Sequence, residues 1–300
     1  MNAVAIDATV ARRVKSERHN QALARLFDRV GELSSLPSVA GHILQVAEND
    51  ESDAADLLQV VQQDPTLAIR ILRTVNSSFY GLGNEVADLQ TAIAMLGFVE
   101  VRNLALTVYV ARLCDEPSDY RGFSREGLWQ HMVSVGIMAR EVSRACGRGN
   151  PEEAYMAGLL HDIGMLLIDQ YMHPEFCQVV DSVHQGTETI DAEWQILTFD
   201  HTDLGTYIAR QSNLPRRVGN AIRYHHRPNE YRGSERELLD MVSVANYLVS
   251  QHGCTSLGVH NVAAPTDKVC ASLELNDKQL SALSEKLDST IESAKVLAKI

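Results

Sequence analysis

The chain has no long apolar run. Its unbroken hydrophobic stretches fall far short of the roughly 18 residues that a membrane span needs, so no transmembrane helix is expected. The opening segment MNAVAIDATVARR has no basic stretch leading into an apolar one, and Asp7 interrupts what little there is. The cytoplasm is therefore the expected compartment. Positive charge is the next shortage: 27 Lys and Arg stand against 39 Asp and Glu, a net charge of −12. Such a surface repels phosphate backbones and anionic lipid, which argues against direct nucleic-acid or membrane binding. The basic cluster Arg12, Arg13, Lys15 and Arg18 sits at helical spacing among acids and reads as a solvated helix face. Cysteine is sparse, at positions 114, 146, 177, 254 and 270, with no CxxC pair and an odd count. That excludes a disulfide framework and a zinc knuckle, and suits buried thiols in a reducing compartment. Alternating valine-rich strands, internal repeats, a GxSxG elbow and a Cys–His signature are missing as well. Gly81-Leu82-Gly83-Asn84 lacks the Lys-Ser/Thr that a phosphate loop requires.

What remains is a sizeable core and a supply of helix signals. Three hundred residues that are 45% hydrophobic can build one large domain or two ordinary ones. Asp64-Pro65 places a capping residue before a proline at the first helical position, with Leu67, Ile71, Leu72 and Val75 on one face. Asn150-Pro151-Glu152-Glu153 repeats the arrangement and adds acids to the positive end of the next helix. Asp88 opens DLQTAIAML and Gly97 closes it; Asn213-Leu214-Pro215 opens a helix that runs to His225-His226. Roughly a dozen mostly short helices are expected, joined by loops of a few residues. Asn76-Ser77-Ser78 reads as a polar helix terminus, and Trp129 and Trp194 as packing residues.

Two polar loops mark boundaries: residues 114–124 (CDEPSDYRGFS) between two bundles, and residues 226–235 (HRPNEYRGSE) after the histidine pair. Residues 276–300 carry Leu280, Leu283, Leu287, Ile291 and Ala294 at spacings of 3, 4, 4 and 3, an amphipathic helix. Packing against its own domain is the first reading of that stripe, and a homodimer seam the second.

The segment AYMAGLLHDIGMLLI carries the chemistry. His161 and Asp162 lie between small and apolar residues, which predicts a helix whose polar pair faces inward. A buried carboxylate needs hydrogen-bond donors or a metal, and adjacent imidazole and carboxylate ligands suit first-row divalent ions such as iron, manganese or zinc. Further imidazoles are available: His131 on the helix SREGLWQHMVSVGIMAREV, His201 at the start of FDHTDLGTYIARQ, and His225 and His226 after LPRRVGNAIRY. A lone histidine at such a place is usually a satisfied core or capping residue. Five at separate helix positions, counting His161 of the His-Asp pair itself, point to a shared site.

The ordered series LPSVAGHIL, QQDPTLAIRILRTVNSSFYG, LQTAIAMLGFVEVRNLAL, AGLLHDIGMLLI and HTDLGTYIARQSNLPRRVGNAIRYHH resembles the HDOD family (HD-related output domain) of bacterial signalling proteins. The resemblance spans roughly residues 33–250. It implies an all-α fold, an N-terminal helical bundle over 33–115 joined to an HD-type bundle over 124–250, with residues 1–32 as an extension. Similarity to HD-type phosphohydrolases, the HD-GYP phosphodiesterases among them, implies ligands at His131, His161 and Asp162, with His201, His225 and His226 completing a larger metal site. Three positions depart from that pattern. Asn246 stands where a ligand aspartate is expected, Met165 where HDIGK has its lysine, and RPNEYRGSE where DGxGYP would follow.

Metal-assisted hydrolysis needs a metal that activates water and a cationic clamp on the phosphate. With that equipment incomplete, the resemblance implies a non-catalytic output or adaptor module that binds signalling proteins by surface presentation, gated by a ligand or metal in the degenerate HD pocket. The alternative is a metal-dependent phosphohydrolase acting on a nucleotide or cyclic dinucleotide. A nucleotide-binding sensor without turnover is the third class. In the polar-core version of the pocket, Asp162 pairs with an imidazole and Asn246 donates its amide to another. No receiver, GGDEF or EAL pattern occurs, so input is expected from another protein or through the helices before Leu36 and after Asn276.

Overall fold

The computed structural model describes residues 42, 43, 46, 52–77 and 80–298. The expected N-terminal extension, its basic cluster and the helix before Leu36 lie outside the described residues. Those residues form an all-α fold, with one two-stranded ribbon as the exception.

The first helices begin where the sequence supplies caps. Asp53 caps α1 (Ala54–Gln62) in a reciprocal box with Asp56. Asp64 accepts from the Leu67 amide at the start of α2 (Pro65–Val75), and Asp88 from the Thr91 amide at the start of α3 (Leu89–Leu96). Gly97, at φ 88°, lets the chain turn directly into α4 (Phe98–Leu113). Helix α4 has no polar face to speak of, because it packs against α1, α2 and α3 and also against the helices that follow. Asn76 serves the polar-terminus role expected of it: its amide donates to the Val86 carbonyl at 2.9 Å and its oxygen accepts from the Val86 amide at 2.8 Å.

The loop after α4 contains what the sequence did not announce. Strands β1 (Asp119–Tyr120) and β2 (Phe123–Ser124) pair antiparallel around Arg121 and Gly122, both at positive φ. Phe123 is fully buried against Phe176, so the ribbon is pinned by one aromatic side chain rather than by alternation along a strand.

Ser124 then caps α5 (Arg125–Cys146), which ends at Gly147 in the left-handed conformation. Asn150 caps α6 (Pro151–Leu160). The chain breaks at His161-Asp162 before α7 (Ile163–Tyr171), and continues through α8 (His173–His184), α9 (Thr189–Leu197), α10 (His201–Gln211) and α11 (Arg216–Tyr224). A short 3-10 turn at Pro228–Glu230 precedes α12 (Glu237–Gln251), followed by α13 (Asp267–Leu273). Helices α6 and α12 flank α5, α10 packs on α7 and α11, and α11 packs on α12 and α6.

Two helices close approaches decide the site's dimensions. A Cβ on Gly158 would lie 2.7 Å from the Val135 carbonyl oxygen and 2.8 Å from the Gly136 Cα, so α5 and α6 cross backbone to backbone. A Cβ on Gly164 would lie 2.0 Å from the His201 carbonyl oxygen, so the first turn of α7 abuts that of α10.

Residues 276–300 correct the sequence reading in one respect. Instead of a single helix there are two, α14 (Asp277–Glu285) and α15 (Leu287–Ala298). The chain turns at Lys286, whose ammonium pairs with Glu141 of α5, and Leu283 and Leu287 on either side of the turn are both buried. Ala294 and Leu297 are buried too, and both helices pack on α5, so the apolar stripe is spent within its own domain.

Candidate metal centre

The His-Asp pair does not lie within a helix, as its sequence context suggested, but at the joint between α6 and α7. Leaving the helix there turns both side chains into the bundle. His161 is fully buried and Asp162 is 1% exposed.

Four imidazoles from four different elements converge on the Asp162 carboxylate. His131 comes from the second turn of α5, with Nε2 3.6 Å from Oδ2. His161 Nε2 lies 3.2 Å from the same oxygen. His201, the first residue of α10, brings Nε2 to 3.3 Å of Oδ1, and His225 brings Nε2 to 3.4 Å. His226 completes the second group: one ligand atom each from Asp162, His201, His225 and His226 lies within 4.8 Å of all the others. His131, His161 and Asp162 satisfy the same condition as a first group. All six side chains named from the sequence are therefore brought together. Adjacent residues of a helix diverge by about 100°, which left open whether His225 or His226 faces inward. Both do, because α11 ends at Tyr224 and the pair lies in the turn beyond it.

The four imidazoles of His131, His161, His201 and His225 are each fixed from behind. His131 Nδ1 donates to the Cys254 carbonyl at 2.8 Å, His161 Nδ1 to the Gly158 carbonyl at 2.7 Å, and His225 Nδ1 to the Ile222 carbonyl at 2.9 Å. His201 Nδ1 donates to a carboxylate instead, Glu193 Oε2 at 2.7 Å, which also accepts from the His201 amide at 3.0 Å. A ring that donates from Nδ1 in its neutral form presents a lone pair at Nε2, and this is how metal-ligating histidines are held.

Charge is distributed accordingly. Burial pushes His131 and His225 each down to about 4, with His161 nearby adding to the effect. Burial likewise drives His226 well below its ordinary value. For Asp162, burial opposes ionisation, but the imidazoles around it, His161 foremost, hold the carboxyl well below the usual carboxylate range. His201 is the exception: burial works against its charge, yet Glu193 and Asp162 together raise it well above an ordinary imidazole.

Glu193 is the residue that the sequence reading missed. Burial raises its carboxyl above the ordinary range, with His201 acting in the opposite direction. A signal was present, since Ile190, Glu193 and Leu197 fall on one face of TIDAEWQIL and both apolar members are buried. An acid on an apolar stripe asks for a partner. The supporting carbonyls of Gly158, Ile222 and Cys254 left no signal, because any residue supplies a carbonyl. Asn246 lies buried on α12, and its side-chain oxygen accepts from Ser250 at 3.2 Å. Among the described residues it makes no hydrogen bond to any of these histidines, which corrects the expectation that its amide would serve one.

A cavity of about 310 Å³ opens beside His226, lined also by Trp194, Asp191, Asp200, Arg223 and Arg227. Arg223 is paired with Asp200 at 3.2 Å and Asp203 at 3.0 Å, and Arg227 with Asp191 at 2.7 Å. Trp194 Nε1 donates to Asp200 at 2.8 Å.

Against known proteins, the HDOD domain family model matches residues 33–228. The chain belongs to the HDOD family. A chain from Marinobacter aquaeolei VT8 named for signal transduction superposes with a TM-score of 0.77 at 26% identity, covering 98% of this chain and 67% of that one. An HDOD domain protein of unknown function from Geobacter sulfurreducens gives 0.75 at 23% identity, covering 94% and 97%. A Shewanella amazonensis SB2B chain named for phosphohydrolase activity gives 0.67 at 23%, covering 91% and 97%. An uncharacterized protein of Treponema pallidum (strain Nichols) is 26% identical over 233 residues, 75% of this chain. This HDOD chain spans 44% of the length of that curated relative. No helix among the described residues is long and apolar enough to cross a membrane.

The donor set of this HDOD chain fits a divalent transition metal. His131 and His161 Nε2 face one another at 3.3 Å, and with both Nδ1 atoms committed to carbonyls a cation between them relieves the opposed lone pairs. Asp162 Oδ1 and the Nε2 atoms of His201, His225 and His226 are buried without hydrogen-bond partners, although they approach one another. Orphaned acceptors gathered around one carboxylate are what a divalent cation would satisfy. When bound, such a metal supplies the positive charge that this carboxylate and these lone pairs lack.

Proposed function

We propose that this HDOD chain is a cytoplasmic signal-transduction output module of a bacterial cell, acting through contacts with signalling proteins rather than by turnover. Its six-residue cluster would hold a divalent transition metal (iron, manganese or zinc) as a clamp across α5, the α6–α7 joint, α10 and the end of α11. The observation that carries this reading is the state of the cavity beside His226. Phosphoryl chemistry needs a cationic clamp on the transferred group. Both arginines there are already neutralised by Asp191, Asp200 and Asp203. Met165, in the position of a phosphohydrolase lysine, is 1% exposed and packed in the core. Large exposed apolar side chains supply a surface for protein contacts: Ile69 on α2, Met95 on α3 and Val99 on α4 are 54%, 49% and 40% exposed.

The phosphohydrolase reading is favoured by one feature, the Nε2 of His226, which has no partner although its residue lines the cavity. The test is a turnover assay on metal-loaded protein with nucleoside triphosphates, cyclic dinucleotides and bis(p-nitrophenyl) phosphate. The expected result is metal bound and no product above background. Product formation that disappears in Asp162→Ala would replace the output-module reading with the enzyme.

A further inference from the structure

A second cleft, of about 660 Å³, lies between the end of α10, the start of α11 and the loop after the 3-10 turn. None of the six cluster residues lines it. Three arginines do: Arg210 near the end of α10, Arg216 at the first position of α11, and Arg232 in the loop. Among the described residues none of the three makes an ion pair or a side-chain hydrogen bond. Their neighbours behave differently, since Arg217, Arg223, Arg227 and Arg236 are each paired with a carboxylate, on Glu153, Asp200, Asp191 and Asp240 respectively. In a chain with a net charge of −12, three unpaired guanidiniums outnumber the one carboxylate lining the cleft, Glu230, and leave a net positive field that selects for an anion. Helix α11 adds to it, because its N-terminus begins at Pro215 and carries no side-chain cap.

The same cleft holds a fixed aromatic surface. The Tyr224 and Tyr231 rings lie 5.4 Å apart at 55°. Asn220 donates to the Tyr231 hydroxyl at 3.2 Å. Gly233 passes directly against that hydroxyl, where a Cβ would sit 2.2 Å away. The ring is thus held before any ligand arrives. Guanidiniums alone suit any polyanion, and rings alone suit any flat apolar group. Both together, with amide edges at Asn213 and Asn220, match a ligand that has a phosphate tail and a heteroaromatic face.

We propose that this cleft binds a nucleotide carrying two or more phosphates, with Arg210, Arg216 and Arg232 on the phosphates and the Tyr224–Tyr231 pair against the base. The assignment holds whether or not the cluster takes a metal. The arginine end of the cleft lies at the N-terminus of α11, about 13 Å from the turn that carries His225, whereas Tyr224 closes the helix next to that turn and lines both cavities.

Isothermal titration of the full chain with ADP, ATP, GDP and GTP, beside inorganic tripolyphosphate, tests the proposal. Saturable binding of at least one nucleotide is expected, with tripolyphosphate at least tenfold weaker. Arg216→Ala and Arg232→Ala, both at exposed positions that leave the fold intact, should each weaken binding roughly tenfold, the size of a charge-assisted hydrogen bond lost. Tyr231→Leu should bring the nucleotide's affinity down towards that of tripolyphosphate. Asp162→Ala should leave nucleotide binding unchanged, which separates this site from the metal cluster. The proposal is overturned by the absence of saturable binding for all four nucleotides, or by tripolyphosphate binding as tightly as they do. It is equally overturned if the arginine variants bind like the parent, or if binding is lost in Asp162→Ala and retained in the cleft variants.

Discussion

Gly164 and His201 touch through their backbones: a side chain of even one carbon on Gly164 would overlap the His201 carbonyl oxygen, at 2.0 Å. The glycine of HDIG is therefore a spacer between α7 and α10. It sets how closely the His-Asp joint and the first turn of α10 approach, and through them the distance from Asp162 to His201.

Gly164→Ala discriminates that contact from a mere helix preference. Alanine in an unhindered helical position stabilises by about 1 kcal/mol relative to glycine. Here overlap with a backbone atom should reverse the sign, with a loss of about 3 kcal/mol in urea unfolding. A variant as stable as the parent would mean that α7 and α10 do not meet this way.

Metal content is the direct measure of the cluster. Protein purified without a histidine tag or chelator should carry iron, manganese or zinc near one ion per chain, and Asp162→Ala should lose it. Removing the carboxylate deletes the one anion that all the imidazoles of the cluster surround. Metal-free parent protein with a native melting profile would reduce the cluster to a polar core.

Glu193→Gln should lower metal affinity about 10–100-fold, the usual consequence of altering a group that orients a metal-ligating histidine. Glutamine keeps the size of the side chain but gives His201 Nδ1 a neutral acceptor in place of a carboxylate. Competition with a chelator of known affinity reads the change. An unchanged affinity would show that His201 is not a ligand.

Asn246→Asp asks a different question. If the pocket descends from a catalytic one, the added carboxylate should tighten metal binding by about tenfold or more, read by the same chelator competition. No change would place Asn246 outside the coordination sphere.

The Asp64 cap carries a pH signature. Burial raises its pKa, but the Leu67 amide and Arg112 outweigh that, so the folded value lies below the ordinary 3.8. A carboxyl with a depressed folded pKa contributes stability that is fully present above 3.8 and is lost as pH falls through the lower folded value. Asp64→Ala should therefore cost about 1 kcal/mol at neutral pH. The gap in melting temperature between parent and variant should close as pH drops below 3.8. A gap that persists in acid would assign the stabilisation to packing.

The parts of this molecule that could be read from residues are those that depend on local chemistry. Asp64-Pro65, Asp88, Ser124 and Asn150 cap helices because a side-chain oxygen reaches an amide two or three residues on, and that relation is printed in the sequence. The six site residues were legible because polar groups stood out against apolar surroundings, and because their order matched a known series. What stayed hidden depends on distant partners. Glu193 counts only because α9 lies against the start of α10. The β-ribbon forms because Phe123 finds Phe176, and the C-terminal helix divides where Lys286 meets Glu141. Apart from the apolar stripe that flags Glu193, spacing along the chain carries no record of such encounters.

The Cys254 carbonyl, which holds His131 in place, has a consequence for how the domain should be handled. The family model ends at residue 228, yet the backbone that steadies a cluster histidine lies beyond it, as does all of α12. The stretch that the family model matches is shorter than what folds as one. A fragment trimmed to the family boundary would keep all six side chains of the cluster and leave the α5 imidazole free to swing, so it would report on a looser pocket than the one the full chain builds.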